Sequence, residues 1–287
     1  MTFFRYPGGK SKIRKRLCEK LNLISPPSTF EYREPFFGGG SVGINFLSTV
    51  TKKPDLWLND KDPGISSLWS AVINYPEELK ERVCRFQPSI EHYNSFKNTL
   101  IENNAKTDSK ESIVENGFQK LAVHQTSYSG LGTKSGGPLG GKLQKSKYKI
   151  DCRWSPKYLC KKIDKLSNAF SSVKIRENGC TNYDFEKLIS EPGSAVLYLD
   201  PPYFEKGGSL YQFSFEESDH ERFANLLKNT DHPFVLSYDD CDAIRDLYGW
   251  AQIETVHVNY TITATKDKAS GKNISQRKPE LIILPRR

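Results

Sequence analysis

Two rhythms of apolar and polar residues run along the chain. Ile13, Leu17 and Leu21 recur at helical spacing in "SKIRKRLCEKLNL" (residues 11–23), with a basic opposite face. Pro26 and Pro27 end that stretch. "TFEYREP" then reads as a strand running into the glycine loop "FFGGGSVG", and "SVGINFLSTV" as the helix that follows it. "DLWLND" (Asp55 to Asp60) is a second short strand, and "ISSLWSAVINYPEELKERVCRF" is helical with a break near Pro76. Helix, strand, helix, strand, helix is the order of a doubly wound parallel sheet. The order returns late in the chain: "SAVLYLD" and "PFVLSYD" as strands, "ESDHERFANLLKN" and "CDAIRDLYG" as helices. "AQIETVHVNYTI" and "ELIILPR" close it as two strands around a basic loop. The fold class expected is α/β, a Rossmann-like sheet.

Residues 87–190 break the pattern. They hold polar helical stretches and "SGLGTKSGGPLGG" (Ser129 to Gly141), in which six of thirteen residues are Gly. Such a segment is expected to be a mobile loop or hairpin tip. A basic run, "KLQKSKYKIDCRW", follows at once. The net charge of +8 is unevenly spread: residues 1–20 carry +6 and residues 120–165 carry +9, leaving −7 for the rest. A mildly acidic body with two basic segments suits a polyanion partner, with a solvated charged face as the plainer explanation. No apolar run approaches 18 residues, and "MTFFRYPGGK" lacks a signal-peptide core, so a cytoplasmic protein without membrane contact is expected. The six cysteines form no C-x-x-C pair and lie at no zinc spacing from a histidine; reduced, mostly buried thiols and no metal are expected.

Three motifs could carry chemistry. Gly38, Gly40 and Gly43 match G-x-G-x-x-G between a strand and a helix, and Asp60 follows at the tip of the next strand. That geometry suits NAD, FAD or S-adenosylmethionine, with Asp60 accepting from ribose hydroxyls; it also suits a tight turn with Asp60 as a helix cap. Glu34 just before the loop disfavours a pyrophosphate and favours a cationic ligand, such as a sulfonium beside the rings of Phe36 and Phe37. In "RYPGGK", Lys10 could meet a ligand carboxylate and Tyr6 a flat ring; a Pro-Gly turn with a solvated lysine is the simpler reading. "DPPY" (Asp200 to Tyr203) ends a strand, where open α/β sheets place their sites. Four fixed residues arise by chance in such a chain roughly once in a thousand, so this motif outweighs the glycine loop. An adenine N6 there could give its hydrogens to Asp200 and to the Pro201 carbonyl, with Pro202 stiffening the turn and Tyr203 offering a ring to stack on.

With "EPFFGGGSVG", "LWLND" and "LDPPYF" in this order after "RYPGGK", the sequence resembles the Dam-like (D12, or α) class of DNA adenine-N6 methyltransferases. "ENGCTNYDF" and "ISQRKPELIIL" resemble further segments of that class. The resemblance implies a seven-stranded sheet with its last strand inserted antiparallel. It implies one catalytic domain from residues 1–71 and 176–287, with a mostly helical target-recognition insert over 72–175. It implies S-adenosylmethionine contacts at Tyr6, Lys10, Asp60 and Asp200. Around them come Pro7, Gly9, Glu34, Pro35, Phe36, Gly38, Gly40 and Ser41, with Asp184 and Phe185 supporting the cofactor adenine. It implies double-stranded DNA at "TSYSGLGTK", through Ser127, Tyr128, Gly130, Leu131 and Lys134. Tyr128 and Leu131 are candidates to fill the gap left by a flipped base. The basic run adds Lys142, Lys145, Lys147, Lys149 and Arg153 as phosphate or base contacts. A monomer is expected, with a cognate restriction enzyme as a candidate partner. Cytosine-N4 methylation is the near alternative, although its enzymes usually carry Ser where Asp200 stands. A NAD-dependent oxidoreductase leaves "DPPY" unexplained, and a non-catalytic DNA-binding protein would not be expected to keep Asp200 and the glycine loop.

Overall fold

The computed structural model describes residues 2–4, 9–102, 109–205, 212–266 and 273–286. After a short 3₁₀ turn at Lys10–Lys12, the chain forms α1 (Arg14–Ile24), β1 (Glu31–Glu34), α2 (Ser41–Thr49), β2 (Asp55–Asn59) and α3 (Pro63–Asn74). Four helices follow: α4 (Pro76–Arg85), α5 (Ile90–Ile101), α6 (Lys110–Thr126) and α7 (Pro156–Phe170). Then come β3 (Ile175–Thr181), α8 (Phe185–Ser190), β4 (Ala195–Leu199), α9 (Glu217–Lys228), β5 (Phe234–Asp239), α10 (Asp242–Leu247), β6 (Gln252–Lys266) and β7 (Asn273–Leu284).

The strands make one seven-stranded sheet in the order β3-β2-β1-β4-β5-β7-β6. β1, β2, β3, β4 and β5 pair in parallel, and β7 runs antiparallel to both β5 and β6. This is the Rossmann-like arrangement with an inserted antiparallel last strand. Helices cover both faces, so the middle strand β4 is buried along its whole length, with all five residues inside. Their alternation sorts two cores. Val196 and Tyr198 join Ile282 and Leu284 on the face under α1, α2, α3, α6 and α7. Leu197 and Leu199 join Leu281 and Ile283 on the face under α8, α9 and α10.

The strand order reverses between the parallel neighbours β1 and β4, so the loops after these two strands diverge and leave a crevice. α3 is fixed beside it by Asp62, whose Oδ1 accepts from Gly64 N (2.9 Å) and Ile65 N (3.2 Å) ahead of Pro63 at the first turn. α6 lies hard against α3: a Cβ on Gly117 would stand 2.7 Å from the backbone of Leu68. The segment between the two runs of sheet grammar therefore shares the main core instead of hanging from it.

Two expectations need correction. The glycine-rich segment is packed, not a free tip. A bridge joins Ser127 to Pro138, Leu139 N donates to Thr126 O (2.8 Å), and Ser135 Oγ donates to Tyr128 O (2.7 Å). Glycine permits this packing, because Gly132 has φ +59° and a Cβ there would meet His124 Nε2 at 2.6 Å. The cysteines are not mostly buried either: Cys18 and Cys180 are, Cys160 and Cys241 are half-buried, and Cys84 and Cys152 are exposed. Cys84 of α4 lies 3.5 Å from Cys160 of α7, and Cys152 stands in the turn before α7. Among the described residues, no helix is long and apolar enough to cross a membrane, and no group of three His, Cys, Asp or Glu could hold a metal ion.

Candidate active site

A cleft of about 770 Å³ opens at the carboxyl ends of β1, β2 and β4. Its floor is the glycine loop. Gly40 takes φ +65° to start α2, and Gly38 takes φ +46°, with nothing within 4 Å of where its Cβ would lie. That open space is where a ligand can touch the backbone. Gly38 N donates to Asp60 Oδ2 (2.7 Å), and Trp69 Nε1 donates to Gly38 O (2.8 Å), so the loop is held from both sides. Asp60 Oδ1 also accepts from Asp62 N (2.9 Å). Burial, with Asp62 adding its charge, pushes the Asp60 carboxyl up to about 7. Asp60 is half-buried and lines the cleft, and solvent screening on that side tempers the shift.

The third glycine of the motif has a different duty. A Cβ on Gly43 would stand 2.4 Å from Glu34 Oε2, so this position must be bare for Glu34 to lie beneath the loop. Glu34 is 2% exposed and accepts from the Tyr32 hydroxyl at 2.6 Å. Burial raises its carboxyl well above the usual range, and Asp200 across the cleft raises it further. A buried acid held this way prefers a cation beside it.

At the β4 end, Asp200 Oδ1 receives Lys10 Nζ (2.7 Å) and the Ser237 hydroxyl (3.2 Å). Its second oxygen has no partner among the described residues, and Asp200 lines the cleft. Lys10 is 3% exposed and lines the cleft, so it is not the solvated lysine of the plainer reading. Lys10 Nζ also donates to Tyr203 Oη (2.5 Å), whose hydroxyl donates to Glu280 Oε1 (2.8 Å). That pull buries the Tyr203 ring beside Tyr238, 6.5 Å away, and the ring does not line the cleft as the sequence reading expected. Pro202 does line it. Beyond the motif, Asp239 at the end of β5 accepts from Phe204 N (3.1 Å) and Glu205 N (3.0 Å).

Opposite Asp200 the cleft has an aromatic wall. Phe36 and Phe185 stand 5.8 Å apart, with Phe215 packed against both. Asp184 caps α8 by accepting from Glu186 N (3.1 Å) and pairs with Arg222, whose guanidinium lies 4.4 Å over the Phe185 ring. Gly9, Pro35 and Ser41 line the same cleft. Tyr6 and Pro7 lie outside the described residues.

The other wall comes from the helical segment. Leu131 and Lys134 line the cleft, as do Lys120 and His124 of α6. Lys120 pairs with Asp62 Oδ2. Burial, then the Lys120 charge, pushes His124 down to about 3, so it is neutral at working pH, and its Nδ1 donates to Gly130 O (3.0 Å). Gln212, after the motif loop, accepts from Thr133 Oγ1 (2.9 Å) and donates to Leu100 O (2.7 Å). Of the residues expected at DNA, Tyr128 is 66% exposed, and Lys134, Lys142, Lys145, Lys147, Lys149 and Arg153 are exposed. Ser127 and Gly130 are buried; Ser127 Oγ accepts from Gly132 N (3.2 Å) and shapes the segment from within. Gln144, with φ +49°, ties the basic run together through Leu139 O (2.6 Å) and Ile150 N (2.8 Å), which leaves Leu143 and Tyr148 exposed among the lysines.

Ser237, Glu280, Arg222 and Gln212 were missed by sequence reasoning. Only Glu280 had a signal, an acid inside the apolar run "ELIIL". No curated protein matches the chain. Residues 6–262, which include the glycine loop, the Asp200 motif and the segment between them, match the family model of D12 class N6 adenine-specific DNA methyltransferases, and the chain belongs to that family of DNA adenine-methylating enzymes.

Proposed function

We propose that the cleft binds S-adenosylmethionine beside an adenine rotated out of double-stranded DNA, and that the methyl group passes in line to N6. The observation that carries this reading is the state of Asp200. One of its oxygens is engaged by Lys10 and Ser237, and the other is open to the cleft. When bound, the cofactor supplies an electrophilic methyl on a cationic sulfur. The donor set fits it: a buried acid at Glu34, a bare backbone at Gly38, acid at Asp60, and an aromatic wall at Phe36 and Phe185. Asp184 acts through its cap and its pair with Arg222, which hold that wall. Gly40, Ser41, Pro35 and Gly9 shape the walls, and the family motif assigns Tyr6 and Pro7 to the same cofactor. Asp62 and Lys120 hold the far side closed.

The chain's own work is orientation. Adenine N6 is a poor nucleophile because its lone pair is delocalised into the ring. The free oxygen of Asp200 and the Pro201 carbonyl each accept one N6 hydrogen, which draws the nitrogen toward tetrahedral geometry and frees the lone pair. Lys10 aims Asp200 through their ion pair, while Pro202 stiffens the turn. Lys142, Lys145, Lys147 and Arg153 track phosphates, Lys134 meets the DNA at the cleft mouth, and Tyr128 and Leu131 stand where a side chain could replace the flipped base. The protein works on one duplex as a monomer.

Asp200→Ala tests the assignment. Methyl transfer should be abolished while DNA binding stays within about twofold. Equal loss of both would remove Asp200 from the chemistry.

A further inference from the structure

Methylation of an amine releases a proton, and the structure offers a place for it beyond Asp200. Glu280 of β7 is 1% exposed and sits behind the motif loop, outside the cleft. Its Oε1 accepts from the Tyr203 hydroxyl (2.8 Å), and its Oε2 is buried with no hydrogen-bond partner among the described residues. A buried carboxylate oxygen without a partner costs stability, and such a group calls for an explanation. Three contacts join Asp200 to Glu280 in series. Lys10 Nζ reaches Asp200 Oδ1 (2.7 Å) and Tyr203 Oη (2.5 Å), and Tyr203 reaches Glu280.

Resting on the methyl-transfer reading above, we propose that Glu280 is the terminal acceptor of the proton lost from adenine N6, reached through Lys10 and Tyr203. As the methyl carbon–N6 bond forms and the sulfur–methyl bond breaks, N6 gives its proton to Asp200. Lys10 then passes a proton to Tyr203 as Tyr203 passes its own to Glu280, and Lys10 recovers one from Asp200. Asp200 ends ionised, Lys10 and Tyr203 end as they began, and Glu280 ends as a neutral acid. One proton has moved and no electrons have. The bonds from Lys10 to Tyr203 and from Tyr203 to Glu280 already have the direction this transfer needs, and the Lys10–Asp200 contact reverses once Lys10 has given up its proton. After the methylated base leaves, the proton returns to water by the same route.

The surroundings favour a proton on Glu280. Lys10 from the first turn faces it, as do Asp200 and Tyr203 from the loop after β4 and Asp239 from the end of β5; Val256 opposes it from β6. Burial raises its carboxyl above the ordinary range, Lys10 and Tyr203 oppose that rise, and the charges of Asp200 and Asp239 add to it. Replacing ionised Asp200 by its neutral form would weaken that last push, so the two acids share one proton well and two poorly.

Glu280→Gln keeps an oxygen for the Tyr203 hydroxyl and removes the proton site. Single-turnover transfer to unmethylated genomic DNA should slow about 10- to 100-fold at neutral pH. Its rate should gain a dependence on rising pH that the parent lacks, with binding of DNA and of S-adenosylhomocysteine within about twofold. Tyr203→Phe should show the same loss, and the double variant should be no slower than either single one, because the residues act as one unit. Infrared difference spectra of the ligand-free protein between pH 5 and 9 should contain a titrating carboxyl band that Glu280→Gln removes. A parent-like rate and pH profile in Glu280→Gln, or no such band, would overturn the relay while leaving the methyltransferase reading intact. A parent that makes no N6-methyladenine would overturn both.

Discussion

Gly43→Ala puts two physical effects in opposition. In the middle of a helix, replacing Gly by Ala ordinarily stabilises by about 0.5–1 kcal/mol. At Gly43 the new Cβ would stand 2.4 Å from Glu34 Oε2, 3.2 Å from Phe37 Cε2 and 3.3 Å from Tyr32 Cε1. Glu34 cannot swing aside cheaply, because it is 2% exposed and holds the Tyr32 hydroxyl. Overpacking of this kind costs about 1–3 kcal/mol, so the net effect is a loss of about 1–2 kcal/mol. For a domain of this size that lowers Tm by roughly 2–8 °C. Gly136→Ala is the matched control: it is exposed, its Cβ would meet nothing within 4 Å, and Tm should move by less than about 2 °C. Thermal unfolding of the three proteins, with calorimetric titration of S-adenosylhomocysteine, reads both consequences. Gly43→Ala should also bind that ligand more weakly, since Glu34 must move. An unchanged or raised Tm for Gly43→Ala would refute the claim that the third glycine exists to seat Glu34.

Ser237→Ala removes a donor from Asp200 and strands the buried Tyr198 hydroxyl 3.0 Å away, so it should cost about 1–3 kcal/mol in urea unfolding and lower kcat with little change in KM. Asp60, pushed up to about 7, binds its proton more tightly folded than unfolded. Its contribution is therefore complete below about pH 4 and is lost as pH rises toward 7, on the order of 2 kcal/mol after screening by cleft water. Urea unfolding between pH 4 and 8 should show that downward slope in the parent and a flatter one in Asp60→Asn. Reversing the charge of Lys142, Lys145 and Lys147 should weaken DNA binding and reduce the salt slope by about 0.9 for each phosphate that is no longer neutralised; an unreduced slope would take the basic run off the DNA face.

The parallel strands and their helices were legible because β4 and β5 are short, apolar and followed by helices of clear period. β3 was not. Its sequence "IRENGCT" is half polar, it lies at the sheet edge, and Glu177 and Asn178 adopt φ +54° in an irregular stretch, so no alternation survives. The motifs announced Asp200, Asp60 and the glycine loop because each needs a local residue order. The links among Lys10, Asp200, Tyr203, Ser237 and Glu280 span almost the whole chain and leave no local trace. Those links also explain why Tyr203 turned inward. The glycine-rich segment misled for the opposite reason: six glycines signal freedom, yet here they permit close packing on His124.

The central claim is transfer of a methyl group from S-adenosylmethionine to adenine N6 in DNA. The most direct measurement incubates the protein with methyl-labelled cofactor and unmethylated genomic DNA, then digests the DNA and separates the nucleosides by mass spectrometry. The account predicts the label in N6-methyldeoxyadenosine, absent when Asp200 is replaced by Ala. Label in N4-methyldeoxycytidine, or labelled adenine that persists in Asp200→Ala, would contradict it.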